Sequence, residues 1–200
     1  MTKIKIADSS PPIKISEAFS AKFCKLAKKI EKDHLTAQKL WAAEIHEARI
    51  LASIIDEPEL VTEEQMEDWV KDFDSWDLCD QVCNNLFRKT DYAYKKAAAW
   101  SGRPEEFVKR AGFVLMAVTA VHDKEADDEI FLDYLKLIKR EAEDDRNFVK
   151  KAVNWALRQI GKKNKKLKKA ALETAEEIKQ LDSKSASWIA KDALKELKNR

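Results

Sequence analysis

The scarcity of chain-breaking residues is the feature that most restricts the fold of this chain. Its 200 residues include only three glycines and four prolines. Sheet proteins need these residues at their many tight turns, so a largely β fold is excluded. Glycine-rich phosphate-binding loops are excluded as well, because neither GxGxxG nor GxxxxGK[ST] occurs in the sequence. With 44% hydrophobic and 37% charged residues, the composition predicts an all-α chain that can bury a sizeable core.

The spacing of apolar residues predicts ten helices with short links. Short links favour antiparallel neighbours, and helix pairs of this size favour a HEAT-like α-solenoid with units of about 40 residues. No strict repeat is visible, so a non-repetitive helical bundle is the alternative. We expect a loose leader over 1–15 and a single domain over 16–200. The predicted helices span 16–31, 36–55, 62–72, 75–88, 90–101, 104–122, 127–142, 145–160, 164–181 and 184–198.

Three positions indicate where predicted helices begin or end. Thr62 lies three residues before Gln65, which is the spacing of a capping box. Ser75 can cap the helix that follows it. Gly161 can end the helix that reaches Ile160, because glycine accepts the left-handed conformation of a helix C-terminus.

The sequence carries no sign of a membrane segment, an export signal or a metal site. There is no run of about 18 apolar residues and no apolar signal core near the start, which predicts a cytoplasmic protein. Three cysteines in such a chain are expected to be reduced. No cysteine or histidine pairs complete a set of four metal ligands, so we expect neither a metal nor a cofactor.

Charge is distributed unevenly along the chain. From Arg146 to Arg200 there are 16 Lys and Arg residues against six Asp and Glu, a balance of +10. Because the whole chain carries +2, the preceding residues carry −8. This asymmetry predicts an anionic partner for the C-terminal part, although the densest lysine run, 161–169, can also be a solvated helix face.

An arginine and an aspartate occupy positions that are unusual for charged residues. Arg110 lies within about 20° of Ala117 and Val121 on a helical wheel, in a helix that is apolar almost all round. A buried guanidinium needs a carboxylate or phosphate partner. Asp80 lies one turn from Trp76 and is a candidate for that carboxylate. The alternative interpretation is a salt bridge that only holds adjacent helices together.

A tryptophan in a basic helix is the third unusual feature. Trp155 lies on the opposite side of its helix from the apolar stripe, beside Lys151, Arg158 and Lys162. It can be a cation–π platform or a surface for a sugar or base. It can also be an exposed indole covered by a lysine stem.

At these segments the chain resembles the AlkD-like DNA alkylation repair enzymes, which are HEAT-like-repeat DNA glycosylases. The resemblance extends from about Leu40 to the C-terminus. It implies a catalytic cleft, with a tryptophan and an aspartate four residues later, an arginine and a second tryptophan. On this sequence these are Trp76, Asp80, Arg110 and Trp155. The matching segments are DSWDLCDQVCNNLF at 74–87, FVKRAGFVL at 107–115 and FVKKAVNWALRQIGKKN at 148–164.

The resemblance further implies removal of N3- and N7-alkylated purines from double-stranded DNA, without base flipping. Such a base is cationic and leaves readily, so catalysis consists mainly of stabilising the oxocarbenium character of the sugar. We expect Asp80 to do this, either by electrostatics or by positioning the attacking water. We expect Arg110 to orient Asp80 and bind a phosphate, and Trp76 and Trp155 to pack on the sugar–phosphate backbone. A concave basic groove is expected to hold the duplex through Lys151, Arg158, Lys162, Lys163, Lys165 and Lys166.

We expect the protein to act as a monomer. The alternative hypothesis is a non-catalytic helical-repeat module that binds DNA or a protein partner. Base release from alkylated DNA distinguishes the two.

Overall fold

The computed structural model describes residues 26–199, and this part of the chain is helical without strands. The all-α prediction is therefore confirmed. Residues 26–30 are helical, and 3-10 turns occupy Pro58–Leu60 and Phe87–Lys89. The longer helices are α1 (His34–Ala42), α2 (His46–Ile55), α3 (Glu63–Lys71), α4 (Trp76–Asn85), α5 (Ala93–Trp100), α6 (Glu106–His122), α7 (Asp128–Arg140), α8 (Asn147–Lys163), α9 (Lys165–Lys179) and α10 (Lys184–Lys198).

Most predicted helices are present with ends shifted by a few residues, but one prediction is wrong. The helix expected over 36–55 is two helices, because α1 stops at Ala42 and α2 starts at His46. Between them Glu44 has φ 57°, a left-handed conformation that nothing in its residue type announces. The predicted leader and most of the helix expected over 16–31 lie outside the described residues.

The helix-end predictions have mixed outcomes. The Thr62 side chain accepts a hydrogen bond from the Gln65 backbone N–H, as expected of a cap. Ser75 precedes α4, but its hydroxyl is buried and makes no capping bond. Gly161 does not end α8, which continues to Lys163. An added Cβ at Gly161 would lie 2.8 Å from Leu197 Cδ1, so this glycine permits close packing against α10 instead.

The helices form two layers, and side chains join the members of each layer. In the layer of α1, α3, α5, α7 and α9, the Trp41 and Trp69 rings stack with centroids 3.8 Å apart, and the Tyr134 hydroxyl donates to the Tyr94 carbonyl. The other layer, α2, α4, α6, α8 and α10, is called the even-helix layer below. There the Asn85 amide donates to the Ser53 hydroxyl, which joins α4 to α2.

The helices of the even-helix layer run parallel to one another. The Cys79 thiol of α4 donates to the Phe107 carbonyl of α6, and the Cys83 thiol donates to the Ala111 carbonyl four residues further on. A step of four residues on one helix therefore matches a step of four on the next. Both thiols are buried and form no disulfide within the described residues, and Cys24 lies outside them.

Helix α6 lies at the centre of this layer and is buried over most of its length. All thirteen residues from Val108 to Ala120 are buried, and α6 contacts α4 on one side and α8 on the other. Gly112 allows α5 to approach from behind, since an added Cβ would lie 2.5 Å from the Ser101 backbone nitrogen. Any polar side chain on α6 must consequently find its partner inside the protein.

Replacing Gly112 by alanine should lower the free energy of unfolding by about 1–3 kcal/mol. The added methyl group meets rigid backbone, and this overpacking outweighs the gain of about 1 kcal/mol in helix propensity. Gly102→Ala is the control, because its nearest neighbour, 3.2 Å away, is the flexible Arg140 side chain. Urea unfolding measures both variants, and equal stabilities would contradict the close approach of α5 to α6.

Candidate functional site

The unusual arginine and aspartate of the sequence form a two-pronged ion pair in the even-helix layer. Arg110 Nε donates to Asp80 Oδ1 at 2.9 Å, and Nη2 donates to Oδ2 at 2.8 Å. The third contact of the guanidinium is to α8, where Nη1 donates to the Phe148 carbonyl at 2.7 Å. One side chain of α6 therefore joins α4 and α8.

The pair is asymmetric in its access to solvent. Arg110 is buried, with 6% of its surface exposed, whereas 22% of the Asp80 side chain is exposed. Burial raises the pKa of Asp80 above its usual value, and the Arg110 guanidinium opposes this rise. Burial also acts to lower the pKa of Arg110, but the Asp80 carboxylate raises it by more. The carboxylate is thus held in one orientation and remains open to a ligand on one side.

Trp76 and Asp77 form the first turn of α4, next to this pair. Trp76 is partly buried and lies one turn before Asp80. Asp77 Oδ2 lies 2.9 Å from Nε2 of His46 on α2, the distance at which it accepts a hydrogen bond from that imidazole. The two acids of α4 therefore have different partners, and Asp80 is the one paired with the buried arginine.

Trp155 lies on α8, two turns beyond Phe148 and within about 20° of it on the helix surface. It is partly buried and packs against the hydrophobic core, although it lies on the opposite side of its helix from the apolar stripe. Among the described residues, the cation–π contacts do not include Trp155. Lys151, one turn before it, is exposed and has no ion-pair partner in the described range.

Two cations expected to bind DNA are held by acids of α10. Arg158 and Lys162 both contact the Glu196 carboxylate, and Arg158 Nε also lies 3.5 Å from Asp192 Oδ2. Both cations lie on the same helix as Trp155, and the acids of α10 partly neutralise them. A DNA phosphate would therefore have to compete with the carboxylates of α10 for these two side chains.

The remaining lysines of the run lie at the corner between α8 and α9. Lys163 donates to the Asp123 carbonyl and lies 5.0 Å from the centroid of the Phe131 ring. Lys166 pairs with Glu129 of α7 at 2.9 Å. Lys165 is exposed at the start of α9. These three side chains are thus separated from the Asp80–Arg110 pair by most of the length of α8.

Sequence reasoning missed several contacts around the pair. Lys109, next to Arg110, is buried and its Nζ lies 2.7 Å from a carboxylate oxygen of Glu141 and 3.2 Å from one of Asp144. Its position in an apolar helix was the available signal. The Phe148 carbonyl had no signal, because a backbone acceptor leaves no trace in residue type.

The described residues hold no group of three or more His, Cys, Asp and Glu side chains arranged to bind a metal ion. None of the described helices is both long enough and apolar enough to cross a lipid bilayer.

The Asp80–Arg110 pair should show strong energetic coupling in a double-mutant cycle. Asp80→Asn leaves a buried guanidinium without its counter-charge, which should cost about 3–5 kcal/mol of unfolding free energy. Arg110→Met removes the charge that needs a partner, so adding it to Asp80→Asn should recover part of that loss. We expect a coupling of about 0.5–3 kcal/mol from urea unfolding. Strictly additive effects would show that the two side chains do not stabilise each other.

Comparisons with known proteins agree with this architecture. A family model described as "DNA alkylation repair enzyme" matches residues 15–197. A solved structure described as belonging to "a new family of proteins related to the HEAT-like repeat DNA glycosylases with affinity for branched DNA structures" is similar, with a TM-score of 0.74 and 21% identity. The similarity covers 90% of this chain and 80% of that one, which confirms the HEAT-like fold. No match is found among curated proteins. Because the family model covers nearly the whole sequence, this chain belongs to the DNA alkylation repair enzyme family.

Proposed function

We propose that this protein is a DNA glycosylase, acting as a monomer in the cytoplasm, that releases cationic N3- and N7-alkylated purines from double-stranded DNA without flipping the base. The observation that carries the proposal is the Asp80–Arg110 pair. It presents a fixed, partly accessible carboxylate on the even-helix layer of a protein in the DNA alkylation repair enzyme family.

The reaction requires little acid catalysis. When the bond between C1′ and the purine nitrogen breaks, its electron pair neutralises the cationic base, and positive charge develops on the deoxyribose. A water oxygen then bonds to C1′ and gives up a proton. Asp80 stabilises the cationic sugar by its negative charge and can accept the proton of the attacking water. A carboxylate that is already oriented needs no reorganisation as the charge develops.

Arg110 acts through Asp80 in this proposal. Three of its five N–H groups are engaged inside the protein, two with Asp80 and one with the Phe148 carbonyl. Its main task is therefore to fix the orientation of the carboxylate. Only its remaining N–H groups could make the phosphate contact that the sequence predicted, and the side chain that carries them is buried.

The two tryptophans lie on α4 and α8, the helices that Arg110 joins. Trp76 precedes Asp80 by one turn, and Trp155 lies two turns along α8 from the carbonyl that binds Arg110. Both are partly buried and offer apolar surface to the sugar–phosphate backbone. Lys151, exposed beside Trp155, is the phosphate contact that the structure supports best. Arg158, Lys162, Lys163, Lys165 and Lys166 contribute to the extent that DNA displaces their present partners.

A second candidate function is DNA binding without base release. The neutralisation of Arg158 and Lys162 by α10 weakens the expected grip on duplex DNA close to the carboxylate. The similar solved structure is described only as having affinity for branched DNA. Binding of DNA with no release of alkylated bases from it would favour this candidate.

Asp80→Asn should reduce the release of 7-methylguanine and 3-methyladenine from methylated duplex DNA by about 10²–10³-fold, because it removes a pre-oriented charge. Asp77→Asn is a matched control, since Asp77 lies on the same helix but pairs with His46. We expect nearly unchanged release from the control. The released bases are measured by chromatography under single-turnover conditions, with the protein in excess over the DNA.

Loss of the fold must be separated from loss of the charge. Asp80→Asn should keep its circular dichroism and its affinity for DNA at a temperature well below its unfolding midpoint. If the folded variant releases bases as fast as the wild type, Asp80 is not the catalytic carboxylate. If the wild type itself binds DNA without releasing bases, the second candidate function is favoured.

DNA binding should weaken steeply with salt, and individual lysines should contribute differently to that dependence. Lys151→Gln should lower the slope of log K against log salt concentration by about 1, because one phosphate contact is lost. Lys166→Gln should change the slope less, since Lys166 already pairs with Glu129 of α7. Fluorescence anisotropy at several salt concentrations measures both slopes. Equal changes would mean that the ion pair does not keep Lys166 from the DNA, and a flat dependence would exclude phosphate contacts.

A further inference from the structure

A basic and aromatic stripe runs along the exposed side of α10. It consists of Lys184, Trp188, Lys191 and Lys195, which lie within about 60° of one another on the helix surface and are called the α10 stripe below. All four are exposed, and Trp188 exposes 42% of its surface. A tryptophan this exposed among lysines has no role in the core of the protein.

The charges of the α10 stripe are not neutralised within the described part of the chain. The ion pairs found there do not involve Lys184, Lys191 or Lys195. The two acids of α10, Asp192 and Glu196, are turned to α8. They bind Asn154, Arg158 and Lys162 there. The helix is thus divided lengthwise into an acidic side that holds α8 and a basic side that is open.

Trp188 lies where this open side meets α8. Lys150 Nζ of α8 lies 5.4 Å from the centroid of the indole, within reach of a cation–π contact. The indole also lines a hollow of about 470 Å³ between the end of α9 and the start of α10. Leu181 and Ser187 are among the residues that line this hollow. The exposed indole therefore borders space that a flat molecule could enter.

We propose that the α10 stripe binds an unpaired nucleotide of DNA, with the base stacked on Trp188 and the adjoining phosphates held by the lysines. This inference rests on the proposed function in one respect, namely that DNA is the ligand of this protein. It extends that function by adding a contact on α10, beyond the helices that carry Asp80 and Trp155.

The chemistry of the stripe favours an unpaired nucleotide over continuous duplex. Within a duplex each internal base is already stacked on both faces, whereas an unpaired base can offer a free face to an indole. The rise of 1.5 Å per residue spreads Lys184 and Lys195 over about 16 Å, enough to contact several successive phosphates. An acidic protein partner would be attracted by the lysines as well, but its carboxylates could not stack on the exposed indole.

The test compares two DNA molecules that contain the same duplex. One is blunt, and the other carries short unpaired arms with 2-aminopurine as the first unpaired base. Anisotropy reports affinity, and quenching of 2-aminopurine fluorescence reports stacking on a protein ring. The variants are Trp188→Ala and Trp188→Phe, which differ in whether an aromatic face remains. The double substitution Lys71→Gln with Lys136→Gln is the charge control, because both lysines pair with acids on α3 and α7.

Trp188→Ala should weaken binding of the forked DNA by about 5- to 100-fold and abolish the quenching, while its affinity for the blunt duplex changes little. Trp188→Phe should retain most of both signals, and the charge control should bind as the wild type does. Lys191→Gln combined with Lys195→Gln should lower the salt slope for the forked DNA by about 1–2. Trp188 is exposed, so these substitutions leave the core intact.

Two outcomes would overturn the inference. One is equal binding of forked DNA by Trp188→Ala and the wild type, and the other is an equal loss on forked and blunt DNA. Failure of the proposed function looks different, because it appears as absent base release from alkylated DNA while Trp188 still governs binding of the fork. A wild type that binds neither DNA at low salt overturns both and favours a protein partner.

Discussion

A buried guanidinium that must be neutralised determines the arrangement of the central helices. Arg110 lies in a helix with thirteen consecutive buried residues, where an unpaired charge would be very costly. Its donors reach Asp80 on α4 and the Phe148 carbonyl on α8, so the same side chain sets the spacing and register of three parallel helices. The carboxylate that satisfies this structural need is also the one left partly open to a ligand. Structure and proposed chemistry thus depend on the same two side chains.

The sequence was sufficient to predict this pair, but not its complete set of contacts. Both residues lie on apolar helix faces, where a charged side chain requires a partner of opposite charge. That requirement predicted that the two side chains pair. The third contact is to a backbone carbonyl at the start of α8. Such an acceptor exists at every residue, so only the packing of α6 against α8 selects Phe148. Because these contacts engage the guanidinium, we propose that Arg110 mainly orients Asp80 and contributes less to phosphate binding than the sequence predicted.

The predictions that failed did so where distant packing overrides local preference. Ala43 to Ile45 contain no glycine or proline, and the sequence there predicts a continuous helix; α1 and α2 nevertheless fold back on each other, with Glu44 left-handed between them. Gly161 has the residue type of a helix end but serves instead as a contact point for Leu197. In the first case the packing of two whole helices ends α1, and in the second a residue that is remote in sequence packs against Gly161. The periodicity of apolar residues encodes neither contact.

Packing between α8 and α10 determines which cations of the C-terminal part meet acids. The count of lysines and arginines predicted a basic C-terminal part, and it is there, but charge counts do not reveal which cations meet acids in three dimensions. Asp192 lies 38 residues beyond Asn154, and Glu196 lies 38 residues beyond Arg158. Both acids partly neutralise Arg158. That same contact directs the acids of α10 inward and leaves its lysines outward beside Trp188. The contacts between α8 and α10 therefore weaken the cationic character of α8 and leave the lysines of the α10 stripe open. That stripe lies one helix beyond the cations, Lys151 to Lys166, that the sequence assigned to DNA.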